Sequence, residues 1–344
     1  MENSRINNFD FLRILFASLV IVSHSYLATG NRNNELLSVL TNRQEAFGSL
    51  AVKCFFIISG YLIFQSLNRS KTIFNYFWKR LLRIYPGYFI MLIFTSLLIP
   101  FVYNKDVSLF KNPDYFNYFL RQLTIYHTQD EISGVFSNQP SHLINGSLWT
   151  IKYEITMYFL LGILFLVKKK WRIYFIFFAF LSSYLLLITN NAFFLNNRLL
   201  SKIYLQGPQF YDLLCLFMGG ALCTSFSIKN NLSSHLIVSS AFIIIIISFY
   251  LNIWSYLKYL LLPIIIVFWG SLSIPYISSI GKKVGDISYG IYIYGWLIQQ
   301  TLYYYFHFSI LWLTIFSLLL AFIFGFISWH LVEKKALSYK NLIA

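Results

Sequence analysis

Charged residues are scarce in this chain of 344 residues: they make up 11% of it, against about 25% in soluble domains. Hydrophobic residues make up 58%, and the mean hydropathy is +0.62. These values exclude an ordinary soluble protein and indicate a polytopic membrane protein whose main partner is the lipid bilayer. No basic soluble segment is present to hold the formal net charge of +15, so the charge does not indicate nucleic-acid binding.

Cysteine is almost absent as well. Cys54, Cys215 and Cys223 are odd in number and lie in apolar stretches, which excludes a disulfide framework and gives no metal-ligand spacing, so we expect no metal. A cleaved signal peptide is not expected either, because Arg13 interrupts the first apolar run and that run is too long.

Long apolar runs are what the chain has in abundance. Their number predicts an all-α bundle of about ten transmembrane helices, forming a single domain over residues 1–344. In the longest connection, about 104–148, we expect a short amphipathic helix near Tyr115 to Ile125. The apolar segments cover about 9–28, 48–67, 84–103, 149–167, 173–189, 209–226, 236–251, 258–274, 288–306 and 310–331.

Lysine and arginine are distributed unevenly among the connections. If the N-terminus is cytoplasmic, the inner connections carry about twice as many of them as the outer ones, with Arg5 and Lys229 counted as inner. This bias predicts that both termini are cytoplasmic.

The first apolar segment carries Asp10, Arg13 and His24. Eleven residues are close to three helical turns, so Arg13 and His24 lie on nearly the same face, about 16 Å apart. Polar groups are costly in hydrocarbon and mark interior sites, and imidazole exchanges a proton near neutral pH. A catalytic role for His24 competes with an alternative in which Arg13 reaches the interface and His24 bonds a neighbouring helix.

Glu154 lies about five residues inside the fourth segment. At that depth, roughly 7 Å below the interface, it is predicted to lie within reach of His24. A buried carboxylate there orients an imidazole or takes its proton. The alternative is an ion pair with Lys152 or Lys53.

Three further features have competing interpretations. Arg80 and Arg83 share a helix face and match phosphate geometry, but anchoring to lipid head groups explains them equally well. Ser59-Gly60 forms a small notch that suits a site or close helix packing. Tyr289, Tyr292 and Tyr294 either line a site or belong to the aromatic belt.

At the end of the tenth segment, Glu333 and the lysines that follow it are expected to be exposed to solvent.

Together the motifs resemble the acyltransferase-3 family of integral membrane acyltransferases, in whose order they occur over almost the whole chain. They are Asp10-x-x-Arg13 with His24, Phe55-Phe56-x-x-Ser59-Gly60-Tyr61-Leu62, Arg80-x-x-Arg83-Ile84-x-Pro86, Ser147-Leu148-Trp149-x-x-x-x-Glu154 and Ser288-Tyr289-Gly290-x-Tyr292.

The resemblance implies transfer of an acyl group, usually acetyl, from cytoplasmic acetyl-CoA to a hydroxyl of a cell-surface or lipid-linked glycan such as O-antigen, capsule or exopolysaccharide. A bacterial inner-membrane location follows. By resemblance, His24 and Arg13 correspond to the family's essential arginine–histidine pair, and Arg80 and Arg83 to its paired-arginine motif at the CoA end. We further predict catalytic roles for Glu154 and for Asp10, held by Arg13. We predict that Ser59, Gly60 and Tyr85 also belong to the acyl-CoA site, and that Trp149, Ser147 and Tyr292 form the glycan site.

The chain departs from the family pattern at two positions. Gly295 stands where many members carry histidine, and Lys53 stands where many carry an acid, which leaves the charge partner of Lys53 open. We expect the membrane part to act alone or with a separate partner protein. The rival function is a transporter or flippase of a lipid-linked saccharide, but such folds often show two related halves, and none is visible here.

Overall fold

The computed structural model describes residues 7–105, 108–190, 195, 198–226 and 230–343, and these residues form an all-α architecture. Arg5 and Lys229, which were counted on the inner side, lie outside these ranges. The isolated β pairing in the described part is one antiparallel bridge between Tyr103 and Val135.

Ten long helices in the described part correspond to the ten apolar segments, which confirms the predicted bundle. They are α1 (Phe9–Ala28), α2 (Phe47–Arg69), α3 (Ile73–Leu98), α4 (Ile151–Ile163), α5 (Lys169–Ile188), α6 (Gly207–Leu222), α7 (Leu232–Tyr250), α8 (Trp254–Ser271), α9 (Ser288–Phe306) and α10 (Ile310–Ser328).

Eight helical stretches of the described chain are long and apolar enough to cross a membrane, and they contain α1 to α5, α7, α8 and α10. Of the other two, α6 has only 16 residues, and α9 carries Gln299 and Gln300, both fully buried. The Gln299 amide donates to the Ile21 carbonyl and to Ser25 Oγ, both at 2.7 Å. A helix inside the bundle tolerates such polar groups because neighbouring helices bond them.

Helices α2 and α6 make the closest helix–helix contact of the bundle. A Cβ added to Gly60 would collide with the carbonyl oxygen of Phe217, and one added to Gly220 would collide with that of Ile57. Small residues at such a crossing let two backbones approach and maximise van der Waals packing in a membrane. The Ser59-Gly60 notch is therefore a packing feature at Gly60.

Helix α3 begins earlier than expected. The predicted segment starts at residue 84, but the helix starts at Ile73, and Thr72 Oγ1 caps it by accepting from the Asn75 amide at 3.1 Å. Lysine and arginine in its first three turns lower the local hydropathy, so the predicted apolar segment begins only after them. The consequence is that Arg80 and Arg83 lie on a rigid helix.

The amphipathic helix predicted in the longest connection is confirmed as Pro113–Leu123. Asn112 caps it by accepting from the Asp114 amide at 3.0 Å, and Pro113 occupies its first position, where no donor is lost. Its Tyr118 is fully buried in a separate small core beside α3 and α9.

The two ends of the bundle differ in character. Arg13, Arg83, Asp286 and Glu333 meet at one end, which we call the terminal end because α1 starts and α10 finishes there. The opposite end, where Glu35 and Glu45 are buried, is called the far end.

Candidate active site

Three adjoining cavities run from the terminal end to the far end. The terminal cavity, about 230 Å³, shares Arg13, Ser59, Glu154 and Tyr289 with a middle cavity of about 50 Å³. The middle cavity shares Val52 and Tyr292 with a far cavity of about 450 Å³.

His24 lines the far cavity. Its ring contacts Trp296 edge-to-face, with centroids 4.9 Å apart, and its Nδ1 is buried without a hydrogen-bond partner among the described residues. The ring therefore faces a cavity inside the bundle, as the polar stripe on α1 predicts. The alternative in which His24 bonds a neighbouring helix does not occur in the described part.

About half of the residues that line the far cavity are polar, and Trp149 and Tyr292 contribute large aromatic rings. Trp149, 39% exposed, forms part of its wall. The charged lining residues are Arg32, Glu35, Lys53 and Asp212. Burial raises the pKa of the Glu35 carboxyl above its usual range, although hydrogen bonds from Phe47 and Ser23 oppose this.

Most charges around the far cavity are paired. Lys53 Nζ donates to Glu45 at 2.6 Å and to Ser49 at 2.8 Å, so Glu45 is the charge partner that the sequence left open. Asp212 accepts from Lys258 at 2.7 Å and from Tyr259 at 2.6 Å. Sequence reasoning missed Asp212, because its partners lie on another helix.

Glu154 lies between the terminal and middle cavities. It accepts hydrogen bonds from Ser59 Oγ at 3.2 Å and from the Tyr158 hydroxyl. The predicted direct partnership with His24 is not formed, because these two hydroxyls hold the carboxylate and His24 lies beyond Val52 and Tyr292. The alternative ion pair with Lys152 or Lys53 is also absent from the described residues.

Asp286 joins the two arginine motifs at the terminal end. Its Oδ2 accepts from Arg13 at 2.6 Å and from Arg83 at 2.5 Å, and its Oδ1 accepts from Ser288 at 2.7 Å. Burial disfavours the Asp286 carboxylate, but Arg13 and Arg83 outweigh that effect and hold its pKa below the usual range. Sequence reasoning missed Asp286, although it lies only two residues before the Ser288-Tyr289-Gly290 motif.

Two expectations at the terminal end are wrong. Arg13 pairs with Asp286 instead of holding Asp10, whose carboxylate packs against Gly281. Glu333 is fully buried, accepts from Ser328 at 2.8 Å and lies 3.7 Å from Arg83. It is therefore part of the ion cluster and not a solvated end.

Arg80 and Arg83 both line the terminal cavity, but they have different partners. Arg83 faces Asp286 and Glu333. Arg80 donates to Ser66 Oγ at 3.1 Å and lies 5.9 Å from the ring centres of Tyr76 and Tyr158. Its Nε is buried without a partner, and no described carboxylate pairs with it. Arg80 is thus the guanidinium that can accept an anionic ligand.

Of the remaining predicted site residues, Tyr292 lines two of the three cavities, whereas Gly60, Tyr85 and Ser147 line none of them. Tyr292 separates the middle and far cavities, where its hydroxyl lies 2.8 Å from Thr150 Oγ1. Gly60 packs on α6, so its assignment to the acyl-CoA site is wrong. Tyr85 lines a lateral apolar groove instead of the three cavities, and Ser147 is buried beside Asn145.

Comparisons with known proteins identify the family to which the chain belongs. The acyltransferase-3 family, described as an acyltransferase domain, matches residues 6–331. An O-acetyl transferase of Shigella phage Sf6 is 28% identical over 96% of both chains. Nodulation protein 10 of Rhizobium leguminosarum bv. viciae is 30% identical over 48% of this chain and 46% of its own. No solved structure matches the chain.

The family match covers all ten long helices of the described bundle, and Leu337 and Lys340 of the terminal cavity lie beyond it. The chain is a multi-pass membrane protein that transfers acyl groups, and it belongs to the acyltransferase-3 family.

Proposed function

We propose that the protein transfers an acetyl group from acetyl-CoA, bound in the terminal cavity, to a hydroxyl of a cell-surface or lipid-linked glycan in the far cavity. The observation that carries this proposal is the series of adjoining cavities from Arg80 to His24. These adjoining cavities allow a thioester and an alcohol to come into contact inside the bundle.

The terminal cavity suits the anionic end of acyl-CoA. Lys79, Arg80, Arg83 and Lys340 line it. Because Arg83 is neutralised by the acidic cluster, the unpaired guanidinium of Arg80 is the group that supports phosphate binding best. We place this end in the cytoplasm, where acyl-CoA is made, with both termini on that side of a bacterial inner membrane.

The far cavity suits an acceptor sugar. Its polar side chains offer hydrogen bonds to hydroxyls, and the exposed face of Trp149 offers a flat apolar surface. Saccharides are bound by such combinations of a few placed polar groups and an aromatic wall. Tyr292 and Trp149 therefore remain assigned to the acceptor side, whereas Ser147 acts only through packing.

The chemistry centres on His24. Its Nδ1 is buried, so Nε2 is the nitrogen left to face the far cavity. In direct transfer, the sugar oxygen attacks the thioester carbon, its proton passes to His24, the carbon–sulfur bond breaks, and the thiolate leaves and is protonated. In the relay alternative, a His24 nitrogen attacks the thioester carbon, the carbon–sulfur bond breaks, and the thiolate leaves and is protonated. The sugar oxygen then attacks the acyl-imidazole, the carbon–nitrogen bond breaks, and the released imidazole takes the proton of the alcohol. Both routes need His24.

The test is His24→Ala in a strain whose surface glycan is analysed by mass spectrometry. We expect loss of the acetyl mass from the glycan while the variant remains expressed and inserted. His142→Ala is the matched control, because His142 is an exposed histidine of the outer connection. Normal acetylation in the His24 variant would refute the proposal.

A further inference from the structure

We infer that the middle cavity restricts the transferred acyl group to two or three carbons, and that Val52, Phe55 and Tyr292 set this limit. This inference rests on the proposed function, which names acetyl as the transferred group but not the residues that exclude longer acyl groups.

The size of the middle cavity carries the inference. At about 50 Å³, it is much smaller than the cavities on either side, about 230 Å³ and 450 Å³. A water-sized group needs about 10–15 Å³ measured in this way, so the space holds roughly three to five such groups. An acetyl group has three non-hydrogen atoms, whereas a hexanoyl group has seven.

The walls of the middle cavity are well packed. Val52, Phe56 and Ile151 are 8%, 4% and 2% exposed, so neighbouring helices hold them from behind. The Phe55 ring packs edge-on against Tyr292 at 5.9 Å and against Phe16 at 6.1 Å. Close-packed interiors yield little to added volume, so a longer chain does not widen this space.

The position of the cavity makes its size decisive for the reaction. Arg13 and Glu154 lie on its border with the terminal cavity, and Val52 and Tyr292 lie on its border with the far cavity. An acyl carbon that moves from the Arg80 side to the His24 side passes between these walls. The Tyr292–Thr150 hydrogen bond of 2.8 Å fixes the ring that closes the far side.

A second cavity near Arg80, the lateral apolar groove, is large enough to hold a long acyl chain. The lateral groove, about 380 Å³, is lined by apolar side chains that include Leu81, Tyr85 and Phe159. It shares Arg80 and Tyr158 with the terminal cavity. A long acyl chain lodged in this groove would be turned away from His24, so the groove does not serve transfer.

The experiment compares acetyl-, propionyl-, butyryl- and hexanoyl-CoA with the purified full-length protein. The acceptor is surface glycan extracted from a strain that lacks the protein and stripped of esters with base. Because one misplaced methylene in a tight apolar pocket costs about tenfold or more in kcat/KM, we expect transfer to fall steeply after propionyl and to vanish with hexanoyl.

Two wall variants and one groove variant complete the test. Phe55→Leu is expected to raise the butyryl-to-acetyl ratio of kcat/KM by about fivefold or more, and Val52→Ala serves if Phe55→Leu does not fold. Phe159→Leu, in the lateral groove, leaves the ratio unchanged. Equal use of hexanoyl- and acetyl-CoA, or a ratio that responds only to Phe159→Leu, would overturn the inference and leave the proposed function standing. No transfer from any of the thioesters would refute the proposed function itself.

Discussion

Arg80 and Arg83 lie three residues apart on one face of α3, yet their surroundings give them different tasks. Arg83 is held by two carboxylates, Asp286 at 2.5 Å and Glu333 at 3.7 Å. Arg80 has a hydroxyl and two aromatic rings as neighbours and a buried Nε without a partner. The sequence pattern treats the two arginines as a pair, but of the two only Arg80 lacks a carboxylate partner among the described residues.

Changing the two arginines separately is expected to separate these tasks. Arg80→Gln removes a charged hydrogen-bond donor worth about 1.5–3 kcal/mol, so the KM for acetyl-CoA rises about tenfold or more with little change in thermal stability. Arg83→Gln breaks a largely buried ion cluster, which costs about 3–5 kcal/mol and lowers the Tm. Steady-state kinetics and thermal unfolding in detergent measure both effects. An unchanged KM in the Arg80 variant would leave that residue with a topological role alone.

Asp286 is expected to give the protein a pH-dependent share of its stability. Arg13 and Arg83 lower its folded-state pKa below the ordinary value of 3.8. A carboxyl with a depressed pKa stabilises the fold above its unfolded-state pKa, and this contribution is lost as the pH falls through the folded-state pKa. The Tm difference between wild type and Asp286→Asn is therefore largest near neutral pH and shrinks below pH 3.8. Asp130→Asn, an exposed control, gives no such difference. A constant gap across pH would contradict the assignment.

The sequence identified single polar residues in apolar segments, but it did not identify their partners. His24 and Glu154 stand out because polar groups are rare in a membrane span, and Arg80 stands out because it shares a helix face with Arg83. Asp286 does not, because it lies in a connection, and the residues that it bonds are 273 and 203 positions away. Glu333 was assigned to solvent because lysines follow it, whereas Arg83 and Ser328 bury it. Such pairings depend on tertiary packing.

At the scale of helices, the crossing of α2 and α6 shapes one wall of the site. Gly60 and Gly220 interlock, each facing a carbonyl of the other helix. This close approach fixes α2 along its length, including Val52, Phe55 and Ser59, which face the cavities. Packing of small residues therefore positions the reactive groups on the same helix.

Alanine at this crossing is expected to destabilise the bundle. Gly220→Ala places a methyl group against the backbone carbonyl of Ile57, and backbone cannot move aside as a flexible side chain does. Overpacking of this kind costs about 1–3 kcal/mol, visible as a lower Tm. Gly295→Ala is the control, because its added methyl meets only the Ile21 side chain, at 3.0 Å. Equal Tm losses in both variants would argue against the interlocked crossing.

The number and order of the helices were predictable because each apolar run is long enough to span a bilayer. The start of α3 was not, since hydropathy detects apolar length and not helical continuity. Lys79, Arg80 and Arg83 belong to the same helix as the apolar part, and Thr72 caps it eight residues before Arg80. Helix capping and tertiary contacts, rather than hydropathy, set that boundary.

At the scale of the whole molecule, the proposed reaction requires that the terminal end of the bundle faces the cytoplasm. An even number of spans would place the two termini on one side, and the excess of lysine and arginine on the terminal connections favours the cytoplasm. The mechanism needs this orientation because acyl-CoA must reach Arg80 from the side on which it is made. The opposite orientation would present the far cavity, with His24 and Trp149, to acyl-CoA.

The orientation can be measured with single introduced cysteines. The native Cys54, Cys215 and Cys223 are buried, so an impermeant maleimide reports new surface cysteines against a low background. We expect Asn33→Cys, exposed at the far end, to react in intact spheroplasts. Ser338→Cys, exposed at the terminal end, reacts only after lysis. The reverse pattern would place the Arg80 cavity outside the cell and exclude cytoplasmic acyl-CoA as the donor. The expected pattern allows acyl-CoA to enter beside Arg80 from the cytoplasm. It also leaves His24 near the side of the membrane where surface glycans are found.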